Sequence, residues 1–176
     1  MSKDKTLGDV LKSQRVSRRG FLKFCAATAS MMALPPSMIP AIAEALEKAR
    51  RPSVIWLSFQ ECTGCTESLT RSHSPTVEGL IFDAISLDYH HTLQAASGHA
   101  AEAAREAAME ENFGNYIMVV DGSIPTDNPG YSTIAGISNL DMMMDTAKGA
   151  AAIVAIGSCA SFGGIPAAKP NPTGAR

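Results

Sequence analysis

Between Val54 and Leu69 the chain reads VIWLSFQECTGCTESL: an apolar run, an abrupt polar turn holding Cys62 and Cys65, then a helix start. Val54, Ile55, Trp56, Leu57 and Phe59 have the length and residue type of a strand covered on both faces. Such a strand is usually parallel and feeds a crossover helix. Ligands bind in the crevice beyond the carboxyl ends of an open parallel sheet, so the two thiols fall where chemistry is expected. A second apolar run, Ala151 to Ile156, stops at Gly157, Ser158 and Cys159 in the same strand-then-turn order. Two separated strands therefore predict three cysteines at one sheet edge.

A Cys-x-x-Cys at a strand end has three readings: a redox dithiol, a structural zinc site, or an iron-sulfur site. A dithiol uses only Cys62 and Cys65 and leaves Cys159 without a role. Zinc takes four ligands, which a histidine such as His73 would help complete, but it is more often held in a self-contained knuckle. An iron-sulfur cube takes four thiolates, commonly two from one tight loop and others from remote loops. Spacing leaves all three open.

The elements between these turns predict an α/β fold with helices on both faces of a parallel sheet. Thr76 to Ala84 has a helical stripe of Val77, Leu80, Ile81 and Ala84, and Ile85 to Tyr89 alternates as a short strand. His90, His91 and Thr92 lead into an alanine-rich helix over about Leu93 to Glu111, with Glu102, Arg105 and Glu106 pairing on its surface. Asn115 to Val120 is a buried strand that brings Asp121 to the same edge as Cys62 and Cys159. Ser123 to Gly130 reads as a loop held by its own turn chemistry, and Ser138 to Gly149 as a helix whose Met142, Met143 and Met144 serve as core or subunit contact. Gly157 to Gly164 is a glycine-rich turn. A doubly wound sheet predicts a further helix and strand after Ile165, so the sequence reads as a sheet cut before its last elements.

Charge divides the chain. Residues 1 to 50 carry nine Lys or Arg against four acids, and residues 51 to 176 six against thirteen. An acidic body disfavours a nucleic-acid partner, whose phosphates need basic surface. The first fifty residues read as an address: a basic stretch from Lys3 to Lys23 containing Ser17-Arg18-Arg19-Gly20-Phe21-Leu22-Lys23, then an apolar segment from Phe24 to Leu34 broken by Pro35 and Pro36. That layout predicts a twin-arginine export leader, cleaved between about Ala41 and Arg50, with Cys25 leaving in it. The competing reading is an amphipathic helix that happens to hold two arginines. The expected division is a signal peptide and processing region over 1–50 and the sheet domain over 51–176.

Taken together, RPSVIWLSFQECTGCTESL, ISLDYH, VVDGSIP, AIGSCASFGG and AKPNPTGA, with SRRGFLKF in the leader, resemble the N-terminal part of the small, electron-transferring subunit of periplasmic nickel-iron hydrogenases. The resemblance implies a flavodoxin-like domain holding the proximal [4Fe-4S] cluster. Cys62, Cys65 and Cys159 match three of its four ligands, and the fourth lies in a later segment of the family, as do the ligands of further iron-sulfur clusters. It also implies a large-subunit partner carrying the nickel-iron centre, a downstream acceptor such as a cytochrome or ferredoxin-like protein, and periplasmic location after folded export. The residues given are expected to be inactive alone. Other implied readings are a cluster subunit of a different redox complex, such as the related quinone-reductase subunit, and a non-catalytic fragment with an incomplete cluster site. Oxygen-tolerant members carry extra cysteines at positions matching Gly64 and Gly164, so an ordinary four-cysteine cube is implied here.

Glu61, Glu67 and Asp121 invite a proton-relay or interface role; for Glu67 the plain alternative is an acid favoured by the helix dipole. His73, His90, His91 and His99 show no ligand-like grouping with the cysteines and read as surface or helix-end histidines. Arg71 has no local feature beyond a place in a subunit contact.

Overall fold

The computed structural model describes Thr6, Gly8 and residues 17–176, which fall into two compact units. The first comprises the described residues up to Arg51 together with Phe82–Ala84, and the second comprises Pro52–Ile81 and Ile85–Arg176. In the first, helix α1 (Arg18–Met31) and helix α2 (Ile39–Lys48) bury Phe21, Cys25 and Ala43 against Ile39, Ile42 and Leu46. Arg18 and Arg19 are exposed at the start of α1, while of the basic stretch from Lys3 to Arg15 only Thr6 and Gly8 are among the described residues. Among the described residues no helix is long and apolar enough to cross a membrane.

The second unit is built on strand β1 (Ser53–Ser58), whose six residues are all buried, as its unbroken apolar run predicts. Helix α3 (Gly64–Thr70) follows it, then a helical turn at Val77–Gly79 that widens into a π turn over Leu80–Ala84. Strand β2 (Ser86–His90), helix α4 (His99–Glu111), strand β3 (Tyr116–Asp121), helix α5 (Asn139–Ala147), strand β4 (Ala150–Ile156) and helix α6 (Gly157–Phe162) complete the order. The four strands form one parallel sheet in the order β2-β1-β3-β4. Ile55, Leu57, Tyr89, Met118 and Val120 pack on one face with Ala101 and Ala108 of α4 and Met142 of α5. Val54, Trp56 and Val119 pack on the other with Leu69 of α3. A central parallel sheet with helices on both sides is thus the architecture.

Several expected boundaries and surroundings differ. The alanine-rich helix begins at His99 and not at Leu93, because Gly98 stands at φ +57 and breaks the helical backbone that alanine propensity would otherwise extend. Arg105 is buried and not a surface partner: its guanidinium donates to Glu102 at 3.1 Å and to Thr146 Oγ1 at 3.4 Å. The loop after β3 does not depend on its own turns alone. Ile124 and Arg176 exchange backbone hydrogen bonds at 2.8 and 3.1 Å, and Thr126 and Asp127 donate to the carbonyls of Gly174 and Thr173. Strand β4 is an edge strand with Ile153 and Val154 about half exposed, whereas its apolar run predicts cover. Of the three methionines of α5, Met142 is core and Met144 is exposed.

Candidate metal centre

Registry brings the site together. Ser58 of β1 pairs with Asp121 of β3, and Asp121 pairs with Ile156 of β4, so three strands end on one row. The chain leaving β1 stays tied to the chain leaving β3: Phe59 N–H donates to the Asp121 carbonyl at 2.7 Å, and Gln60 and Ser123 exchange hydrogen bonds at 3.1 Å. That close pairing requires Gly122, at φ +92, because a Cβ there would stand 2.8 Å from the Gln60 backbone. The turn then delivers Cys62, which is exposed, and Cys65 in the first turn of α3. Thr63 between them adopts φ 64, a left-handed conformation that reverses the chain into the helix.

The turn after β4 meets this one. Cys65 Sγ lies 3.9 Å from the Ile156 carbonyl oxygen, and a Cβ at Gly157, φ +76, would stand 2.4 Å from Cys65 Sγ. Cys159 follows in α6, a short helix where a glycine-rich turn was expected. Glycine at 164 faces Cys159 in the same manner, its ideal Cβ 2.5 Å from Cys159 Sγ, and at 64 the corresponding distance to Cys62 Sγ is 3.1 Å. Each of the three sulfurs therefore has a glycine beside it, leaving space that any other residue would fill. Cys65 thus lies beside Asp121 and within charge range of both Cys62 and Cys159. Gly157 was not singled out in the sequence beyond its turn; its signal, a glycine directly after an apolar strand run and two residues before a cysteine, was present.

Electrostatics depend on burial. The Cys65 thiol is pushed up to about 11 by desolvation first, then by a hydrogen bond with Asp121 and the charges of Asp121, Cys62 and Cys159. A thiol so placed gives up its proton readily only when a cation takes its place. Asp121, 1% exposed with Oδ2 unpartnered, is also held above the usual carboxylate range, chiefly by burial. Glu61 is raised by burial and by the neighbouring Asp121 charge, with Oε2 unpartnered. Asp121 Oδ2 and Glu61 Oε2 are thus buried acceptors without a partner at this edge. Among the described residues no three His, Cys, Asp or Glu side chains gather as a single-ion site. Three thiols with a glycine against each sulfur are a donor set suited to a thiophilic centre, zinc or an iron-sulfur cube.

The other expected residues separate. Glu67 is exposed in the first turn of α3 and pairs with Arg71 at 2.6 Å, so both serve the helix surface. His73 lies in an isolated bridge with Thr76, and His99 opens α4. The histidines at the end of β2, His90 within it and His91 just past it, are not surface residues. His90 is 1% exposed, and its ring lies 4.8 Å from that of Trp56. Its Nδ1 accepts from Thr92 N–H at 3.1 Å and from Leu93 N–H at 3.4 Å, so the ring proton sits on Nε2, 3.4 Å from Thr66 Oγ1. His91 Nδ1 accepts from Ser58 N–H at 3.0 Å, just past the end of the β1–β2 ladder. Its Nε2 meets Tyr89 Oη at 2.9 Å, and that hydroxyl donates to Glu102 at 2.7 Å.

Burial pushes His90 down to about 4, with the His91 charge adding to the effect. An unfolded histidine titrates near 6.5. The folded state therefore binds fewer protons, and the stabilisation is full above about pH 6.5 and lost as pH falls through 4. Urea unfolding of the metal-free chain is expected to show a loss of order 2 kcal/mol over that window. His90→Gln should flatten it; an unchanged slope would show that His90 is not the titrating group.

Comparison with known proteins places these features. The family described as "NADH ubiquinone oxidoreductase, 20 Kd subunit" matches residues 62–176. The chain is 49% identical over 176 residues to the Hydrogenase-2 small chain of Escherichia coli, covering 99% of this chain and 46% of that protein. It is 50% identical over 167 residues to the Periplasmic [NiFe] hydrogenase small subunit 1 of Nitratidesulfovibrio vulgaris, covering 94% and 52%. It thus spans about half the length of the curated relatives it matches. The solved [NiFeSe]-hydrogenase of Dm. baculatum superposes with a TM-score of 0.69 at 34% identity, over 73% of this chain and 50% of that one.

Proposed function

The chain belongs to the family described as NADH ubiquinone oxidoreductase, 20 Kd subunit, and is homologous to hydrogenase small subunits; on that premise we propose that it relays electrons for a nickel-iron uptake hydrogenase. Its Cys62, Cys65 and Cys159 would hold the [4Fe-4S] cluster proximal to the nickel-iron centre of a large-subunit partner. A bound cube supplies one-electron storage at low potential, which suits it to take the two electrons of hydrogen oxidation singly.

The observation that carries this reading is the meeting of the β1 and β4 turns, which puts Cys65 Sγ within 3.9 Å of the residue preceding Gly157. The residues act by placement. Gly64, Gly157 and Gly164 leave room around the sulfurs, and the Gln60–Ser123 bridge fixes the exit of β1 against the exit of β3. Gly64 and Gly164 also stand where extra cysteines would be needed for a modified cube, supporting the ordinary form. A fourth cluster ligand and further clusters belong to the proposal for the whole protein.

The strand order β2-β1-β3-β4 supports a flavodoxin-like sheet, whose order is 2-1-3-4-5. A leader over 1–50 and a cluster domain over 51–176 are proposed, in keeping with a first compact unit that takes in the described residues up to Arg51 and, besides them, Phe82–Ala84. The stretch SRRGFLKF supports folded export by the twin-arginine route to the periplasm, and a cytochrome or ferredoxin-like protein is the proposed acceptor. The matched family's name favours a quinone-oxidoreductase subunit as a second reading. The high identity to hydrogenase chains over nearly the whole sequence favours the first.

The test is iron and sulfide analysis with low-temperature electron paramagnetic resonance on the intact complex, unsubstituted and as Cys159→Ser. A reduced-cube signal in the first that is lost in the second is expected. No cube in the unsubstituted complex, or full iron and an identical signal in Cys159→Ser, would sink the reading.

A further inference from the structure

We propose that His90 is a positioning residue for the thiol-bearing turn, holding α3 through Thr66 so that Cys65 keeps its place against the end of β4. The inference rests on the reading that Cys62, Cys65 and Cys159 hold an iron-sulfur cube. Thr66 directly follows Cys65, and it is the buried residue of α3, 2% exposed. His90 ends the neighbouring strand β2 and is 1% exposed. At 3.4 Å the Nε2–H to Thr66 Oγ1 hydrogen bond is long, yet both groups are out of reach of solvent, so losing either leaves a buried polar atom with no water to replace it.

Three contacts fix the imidazole itself. Thr92 and Leu93 N–H occupy Nδ1, which commits the proton to Nε2, and Trp56 of the central strand lies against the ring. The ring cannot turn without giving up the Nδ1 bonds. β2 is thereby connected to the helix that carries Cys65 by a side chain whose orientation and tautomer are both set, and no cysteine is involved. A cube's potential depends on hydrogen bonding to its sulfurs and on exposure to solvent, both of which change if α3 shifts relative to β4. Among the buried histidine contacts, this is the one that reaches the cysteine-bearing helix; His91 instead bonds to Ser58 and Tyr89.

The test uses the intact complex with its large subunit. His90→Phe keeps a ring against Trp56 but removes the donor, and Thr66→Val removes the acceptor at equal volume. His90→Gln keeps a donor equivalent to Nε2–H. Potentiometric paramagnetic-resonance titration is expected to show a shifted midpoint for the cube, equal in His90→Phe and Thr66→Val and no larger in the double variant, with His90→Gln near the unsubstituted value. Loss of iron in the two disruptive variants with retention in His90→Gln supports the role equally. A full-iron cube with unshifted potential in Thr66→Val overturns the role of His90 alone. Absence of any cube from the unsubstituted complex overturns the cluster reading and this inference with it.

Discussion

Replacing Gly157 by alanine is expected to strip the proposed cluster site while leaving the sheet folded. An alanine Cβ would stand 2.4 Å from Cys65 Sγ, well inside contact, and the backbone there is at φ +76, which a side chain disfavours. Either Cys65 Sγ must rotate away or the two turns must part, and each moves the Cys65 sulfur from the place it holds. Iron bound to the intact complex should fall to about a tenth or less of the unsubstituted value, equivalent to about 1.4 kcal/mol or more. Gly114→Ala separates the two causes: it has a similar φ of +80 but nothing within 4 Å of the new Cβ. That variant should keep its iron. Equal iron in Gly157→Ala and the unsubstituted complex would show that the β1 and β4 turns do not share a centre.

Leu57→Ala should destabilise the sheet strongly. Leu57 is 0% exposed on β1, an interior strand with β2 on one side and β3 on the other, and it packs in the main hydrophobic cluster. Truncating a fully buried leucine removes transfer energy and leaves a cavity, costing about 2 to 5 kcal/mol. For a domain whose net stability is roughly 5 to 15 kcal/mol, that is a large share. The urea midpoint of the metal-free chain should fall with little change in slope. A loss below about 1 kcal/mol would mean the neighbouring side chains collapse into the space, contrary to a close-packed core.

The residues around the cysteines explain which parts of the site could be read in advance. Two apolar runs ending in cysteine turns imply a parallel sheet with thiols at its carboxyl edge, because consecutive apolar residues suit a strand buried on both faces. Asp121 was legible for the same reason, as the residue after a third such run. His90 was not, because a histidine after an alternating strand is usually solvated; only the return of α3 past β2 buries it and gives Nε2 a partner. Arg105 was misjudged likewise: on helical spacing it pairs with neighbours at the surface, but α5 brings Thr146 over it.

Local sequence determined the order of the elements, the β1 run, the cysteine-bearing turns and the acidic body, since these follow from hydropathy period and turn residues within a few positions of each other. Tertiary structure alone decided that Gly157 clears Cys65, that Gln60 and Ser123 lock the two exits, and that His90 meets Thr66. Those contacts join residues far apart in the chain, and parallel strands meet only after a crossover helix has returned the backbone to the same end of the sheet.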